Sequence, residues 1–296
     1  MKKWLAAMMA AVLSMSLLTA CGSAVQEEVP EETVQTEQAE TEETAQTEQA
    51  ETEETTQEET SAEDTAAVSE ALADGVLNVG TNAEFPPFEY VNDAGEPDGF
   101  DIALIKAIGE KLGVEVQVDN MEFASLVSSI GSKIDASIAG MTVTDERKAS
   151  VDFSNSYYTA VQYVILPEGS AIATADDLKG KAIGVQLGTT GDFIAEEIED
   201  ATVSQYNKAV DAVNDLVNGR LDCVIIDKNP AMVFESKFEG KVTAVDGAQF
   251  NFEPEDYAIA MPKGDTVLVE QVNTALQELI DDGTFDALVS QYIEEN

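Results

Sequence analysis

From Gly75 to Asn296 the sequence alternates short apolar runs with stretches whose apolar residues recur every three or four positions, and it does so twice. The first series opens with an apolar strand, Val76 to Thr81. Between Phe100 and Leu112, residues Ile102, Ile105, Ile108 and Leu112 fall on one helical face. Val114 to Val118 reads as a strand, Phe123 to Lys133 as a helix and Ile134 to Ala139 as a strand. The second series has strands at Ala182 to Gln186, Thr202 to Tyr206 and Leu221 to Ile226. Its helices lie at Asp192 to Ile198 and Ala209 to Asn218, the latter stopped by Gly219. Asn229-Pro230 is a suitable N-cap and first-turn pair for a further helix, and two late helices follow at about Asp265 to Asp282 and Thr284 to Glu294. Strand–helix alternation predicts an α/β fold. Two series within these 222 residues predict two lobes of about 100 residues each.

The preceding residues cannot extend that core. From Gly22 to Asp74 there are 18 acidic residues, no Lys or Arg, and no aromatic. A direct repeat, TEQAETEETAQ then TEQAETEETTQ, fills Thr36 to Gln57. Too little apolar area is available here to offset chain entropy, and like charges repel. Residues 22–74 therefore read as a disordered spacer with a reach of about 40 Å; an extended acidic helix is the competing reading.

Ahead of the spacer, Met1-Lys2-Lys3 precedes an apolar run from Trp4 to Leu18. Fifteen residues fall short of the roughly 20 a membrane span needs, and suit a secretory signal. The run closes with Leu18-Thr19-Ala20-Cys21, which resembles the lipoprotein box of bacteria. That resemblance implies a signal peptide over 1–20, a diacylglyceryl group on Cys21 and a lipid-anchored chain. An ordinary signal peptide is the alternative.

Composition removes whole classes of function. The net charge of −43 excludes gripping nucleic acid or an anionic membrane surface through basic residues. The chain has no His, hence neither the commonest general base nor the commonest metal ligand. Its two cysteines, Cys21 and Cys223, cannot build a thiolate cluster, and Cys223 reads as a small buried apolar residue. No metal or other cofactor is expected.

Four segments at strand ends carry groups suited to a ligand, where α/β folds bind them. They are Gly80 to Phe88, Ala139 to Arg147, Val185 to Gly191, and Ile225 to Asp227. Arg147 is one of two arginines after Gly75 and falls in the first turn of a helix following Thr144. A guanidinium there can take a carboxylate through two parallel hydrogen bonds, with the Thr142 hydroxyl beside it. A surface charge beside Asp145 and Glu146 is the plainer reading. The Gly188-Thr189-Thr190-Gly191 loop offers backbone N–H groups, or is a simple strand-to-helix turn. Asp227 can meet an ammonium, or cap a helix. Together the groups describe a site for a zwitterion.

These segments resemble the solute-binding proteins of polar amino-acid ABC transporters, family 3. The resemblance rests on VGTNAEFPPFEY, GFDIALIKAIGEKLG, AGMTVTDERKASVDFSNSYY, VQLGTTGD and EDYAIAMPKGD, and covers Gly75 to Asn296. It implies a two-lobed type II periplasmic-binding-protein-like fold with hinge strands near Tyr158 to Val164 and Asp256 to Ala260. Lobe 1 would be 75–159 plus 259–296, and lobe 2 160–258. It implies that Arg147 clasps a ligand α-carboxylate, with the Thr142 hydroxyl beside it and the Thr190 backbone donating from the other lobe. Asp227 and the Gly140 carbonyl would take the α-ammonium. Phe85 and Phe123 would sandwich the side chain, and Asn82 and Gln186 would read its far end. Members that hold a cationic side chain often carry an acid where this chain has Asn82, so the neutral amide favours a polar, neutral amino acid; Glu84, two residues on, could restore a negative charge.

The implied protein is a monomeric, non-enzymatic receptor on the extracellular face of the cytoplasmic membrane. Its partners would be a free L-amino acid and the permease subunits of an ABC transporter, with no nucleic acid. A dehydratase on the same fold and an amino-acid sensor are the rival readings.

Overall fold

A computed structural model describes residues 68–294. The basic start, the apolar run, Cys21 and the acidic repeat lie outside the described residues. Ser69 to Asp74, the expected end of the spacer, belong instead to the folded part. Leu72 is buried in the core, and the Ser69 hydroxyl donates to Asp265 at 2.6 Å.

Strand β1 (Val76–Thr81) leads into a small ribbon of β2 (Glu84–Phe85), β3 (Glu89–Val91) and β4 (Pro97–Asp98). Helix α1 (Phe100–Leu112) follows, burying Ile102, Ile105 and Ile108 as their spacing predicts and ending at Gly113 with φ 71°. Next come β5 (Glu115–Asn120), α2 (Leu126–Ser129), β6 (Ala136–Ser137), α3 (Asp145–Lys148) and β7 (Val151–Phe153). The expected helix from Phe123 to Lys133 is reduced to a tight turn and the single turn α2. The hydroxyls of Ser128 and Ser129 bond back to the Ser125 carbonyl, and Gly131 turns the chain at φ 76°.

The long strand β8 (Tyr158–Pro167) carries the chain into a second sheet. There β9 (Ala182–Gln186), α4 (Thr190–Glu196), β10 (Thr202–Tyr206), α5 (Ala209–Val217), β11 (Cys223–Asp227), α6 (Lys228–Lys237) and β12 (Val242–Asp246) follow in turn. The helix expected to be capped by Asn229 starts earlier, with Asp227 at its N-cap position and Pro230 third. Cys223 is buried, as its apolar setting predicts, and burial pushes its thiol up to about 12.

The chain returns through β13 (Pro254–Tyr257), antiparallel to β8 with Glu255 opposite Ala160, and β14 (Ala260–Pro262). Helices α7 (Thr266–Asp281) and α8 (Thr284–Val289) close the fold. The first sheet has the order β5-β1-β6-β14-β7; the second runs β10-β9-β11-β8-β12. The molecule is thus two-lobed and mixed α/β. Apolar packing is continuous from Leu77 and Ile105 through Phe88 and Tyr257 to Ile165 and Val213. Where β8 and β13 meet, the rings of Phe88, Tyr158 and Tyr257 lie 4.9–5.7 Å apart, each pair in contact. No helix of the described residues is long and apolar enough to cross a membrane.

Candidate functional site

Parallel strands of both sheets end towards one another, and the loops that leave them carry the polar residues. On the first side, Gly140 follows β6 with φ 51°, a backbone that an L side chain adopts at a cost. Its N–H donates to the buried Asp101 carboxylate at 2.7 Å, which also accepts from the Tyr157 hydroxyl at 2.8 Å. Those two donors oppose the effect of burial, which pushes Asp101 up to about 6. The Thr144 hydroxyl accepts from the Arg147 N–H and so sets the one turn of α3. This aims Arg147 inward, where it is 7 % exposed.

Its guanidinium donates to the Thr142 carbonyl at 2.6 Å and to the Gly188 carbonyl at 2.9 Å. The second bond spans the two sides. The same group lies 5.3 Å from the Phe123 ring centre. Burial lowers the pKa of Arg147, while Glu255 and Asp227 oppose that, and an arginine remains charged throughout.

On the second side, β9 delivers Gln186, and Gly188 turns the chain at φ 78°. The Thr189 hydroxyl caps α4, leaving Thr190 as its first residue. Strand β11 ends in Asp227, which holds the N-cap position of α6 without capping it. Its carboxylate accepts from the Tyr257 hydroxyl at 2.6 Å instead. Burial, then the neighbouring Glu255, pushes Asp227 up to about 7.

At the far end Gln186 donates to the Asn82 oxygen at 2.7 Å, and the Asn82 amide donates to the Met121 carbonyl at 2.8 Å. Asn82, Phe85, Phe123, Gly140, Thr142, Arg147, Gln186, Thr190 and Asp227, the nine residues expected to bind ligand, all line one cavity with Ala139 and Thr189. The arrangement offers a buried cation, a buried acid, two hydroxyls and an amide pair around one small space, and so complements a zwitterion.

Residues 77–295 match the bacterial extracellular solute-binding proteins, family 3. The chain belongs to that family. Among its relatives, the arginine-binding extracellular protein ArtP of Bacillus subtilis is 35% identical over 221 residues, covering 73% of this chain and 85% of that one. The ABC transporter glutamine-binding protein GlnH of the same organism is 32% identical over 209 residues, covering 69% of this chain and 75% of that one. In structure, the ancestral amino acid-binding protein AncCDT-1, a precursor of cyclohexadienyl dehydratase, superposes with a TM-score of 0.69 at 34% identity, covering 75% of this chain and 97% of that one. Its homologues are thus amino-acid-binding components of ABC transporters.

Two acids of this solute-binding protein show where reading the sequence stops. Glu84 does not line the cavity; its carboxylate accepts from Lys208 Nζ at 2.5 Å across the rim. Glu255, given no role in the sequence reading, does not line the cavity either, but it sits directly behind two residues that do. Its Oε2 accepts from the Thr142 hydroxyl at 2.8 Å, the Thr190 hydroxyl at 2.7 Å and the Gln162 amide at 3.4 Å. Its signal was a place in the EDYAIAMPKGD stretch, within an acidic run that otherwise reads as a solvated turn.

Proposed function

We propose that this protein captures a free L-amino acid with a polar, neutral side chain in the cavity between its lobes and delivers it to the permease of an ABC transporter. The observation that carries the reading is the pair Arg147 and Asp227, opposite charges buried on two sides of one cavity. Arg147 clasps the α-carboxylate with help from the hydroxyls of Thr142 and Thr190. Asp227 and the Gly140 carbonyl take the α-ammonium. Phe85 and Phe123 flank the side chain, and the neutral Asn82–Gln186 pair faces its tip. An uncharged tip suits amides that already satisfy one another.

The lobes divide as 75–159 plus 259–296 and 160–258, with β8 and β13 as the hinge. A signal peptide over 1–20 and a lipid on Cys21 would hold a monomer at the outer face of the cytoplasmic membrane. Two acyl chains give stable attachment where one does not. The protein performs no chemistry in this reading; AncCDT-1 makes turnover of a cyclic dienyl acid the assay for the opposite view.

The test is a thermal-shift screen against the twenty amino acids, cystine and ornithine. A ligand at 100 times its Kd adds about 2.7 kcal/mol. For a folded part of this size that raises Tm by about 5–10 °C. Polar neutral amino acids should give the largest shifts; no shift with any compound would end the reading.

A further inference from the structure

The site holds one more charge than a zwitterion needs. Arg147 and Asp227 are the cation and the acid that a zwitterion calls for, and Glu255 adds a second carboxylate from the hinge strand β13. Its Oε2 accepts from the hydroxyls of Thr142 and Thr190, two residues that line the same cavity as Arg147. An ionised carboxylate only accepts hydrogen bonds, so both hydroxyl protons point at Glu255. A hydroxyl carries one proton, so Thr190 has none left to donate elsewhere, and its oxygen accepts from the Gln162 amide at 3.1 Å.

We propose that Glu255 is a specificity-determining residue that competes, from within the chain, for the hydroxyl donors of the ligand α-carboxylate. The proposal deepens the function given above and rests on it. A threonine hydroxyl has one proton, so each bond to an incoming carboxylate is a bond withdrawn from Glu255. Binding exchanges one carboxylate for another on these donors and gains less than the contacts alone suggest. The second consequence concerns charge. With Arg147 answered by the α-carboxylate and Asp227 by the α-ammonium, Glu255 leaves the cavity net negative. A ligand with a second carboxylate would place three acids around one guanidinium, so acidic amino acids are rejected.

The experiment is titration calorimetry with L-glutamine, L-glutamate and L-arginine on the folded protein and on Glu255→Gln and Glu255→Ala. Glutamine and glutamate have nearly the same shape and differ by one charge. The parent should bind glutamine and reject glutamate. Both variants should bind glutamine about tenfold more tightly, the equivalent of about 1.4 kcal/mol, and the gap to glutamate should narrow. Arginine, whose extra positive charge a net-negative cavity favours, should gain less from either variant than glutamine does. In a Thr142→Val, Thr190→Val background the donors are gone, and Glu255→Gln should no longer tighten binding. Equal affinity in both single variants would mean that the hydroxyls stay on Glu255, and weaker affinity that Glu255 holds the ammonium; either overturns the proposal. If the parent binds no amino acid at all, the functional reading falls first and this proposal with it.

Discussion

Asp227 reaches neutral pH with its proton half held, and that has a measurable consequence. Burial raises its pKa to about 7, whereas an ammonium brought against it favours the ionised form. Capturing an amino acid below pH 7 therefore requires Asp227 to release a proton. Affinity should fall as pH drops below about 7, level off above it, and be accompanied by release of up to one proton. Calorimetry in buffers of different ionisation enthalpy measures that proton, and Asp227→Asn should abolish the release along with most of the affinity. Arg147 bears the opposite charge and the stricter geometry. Arg147→Ala should bind too weakly to measure, since losing one partner of a buried charged pair costs about 2–5 kcal/mol. Thermal unfolding should show it still folded. Arg147 was legible because arginine is rare here and Thr144 marks the helix start that aims it. Glu255 was not: its partners lie 113 and 65 residues away, and no local pattern brings a hinge acid to two threonines.

At the scale of elements, hydrophobic period decided most of the fold. It located α1, α5, β9 and β10 because each buries one face or one strand against a neighbour. It overextended the segment after Phe123, where serine hydroxyls compete for the carbonyls a longer helix needs. The N-terminal boundary of the fold was also hidden, because one leucine and one serine at the end of an acidic run do not make a periodic signal. Two glycines fix loops that apolar pattern cannot describe. Gly99 starts α1 at φ 124°, and a Cβ there would lie 2.3 Å from the Phe88 carbonyl oxygen. Gly140 at φ 51° would press a Cβ to 2.9 Å from the Phe85 ring. Gly140→Ala should cost about 1–3 kcal/mol of stability, read by urea unfolding, and should weaken binding because Phe85 must move.

Across the whole molecule, three polar contacts away from β8 and β13 are among those that join the lobes. Arg147 reaches Gly188, Gln186 reaches Asn82, and Lys208 reaches Glu84 at the rim. The last is half exposed and contributes at most about 1 kcal/mol, less in salt. Lys208→Ala should therefore weaken ligand binding by at most about fivefold. X-ray scattering should show a larger radius of gyration without ligand and the parent's value with it. Stability should also depend on pH through the buried acids. Folded Asp227 keeps its proton to about pH 7, and folded Asp101 to about 6. Unfolded, both release it near 4. Within that window the folded state binds more protons, so stability falls as pH rises. The chain's net charge, −43 at pH 7, acts in the same direction by self-repulsion. Comparing Tm from pH 4 to pH 7 in the parent and in Asp227→Asn, both without ligand, isolates the share of Asp227; the variant should show the flatter curve.

The sheet order carries a last consequence, for the order of events during synthesis. Strand β14 lies between β6 and β7, yet it is made after every strand of the second sheet. A growing chain has all five strands β8 to β12, and β13, before the first sheet can be completed. The half of the protein nearer the N-terminus is thus finished second, and must wait as an incomplete sheet with an unpaired edge until Ala260–Pro262 emerges. A stalled chain ending just past Tyr257 would hold an assembled second lobe and an unclosed first one.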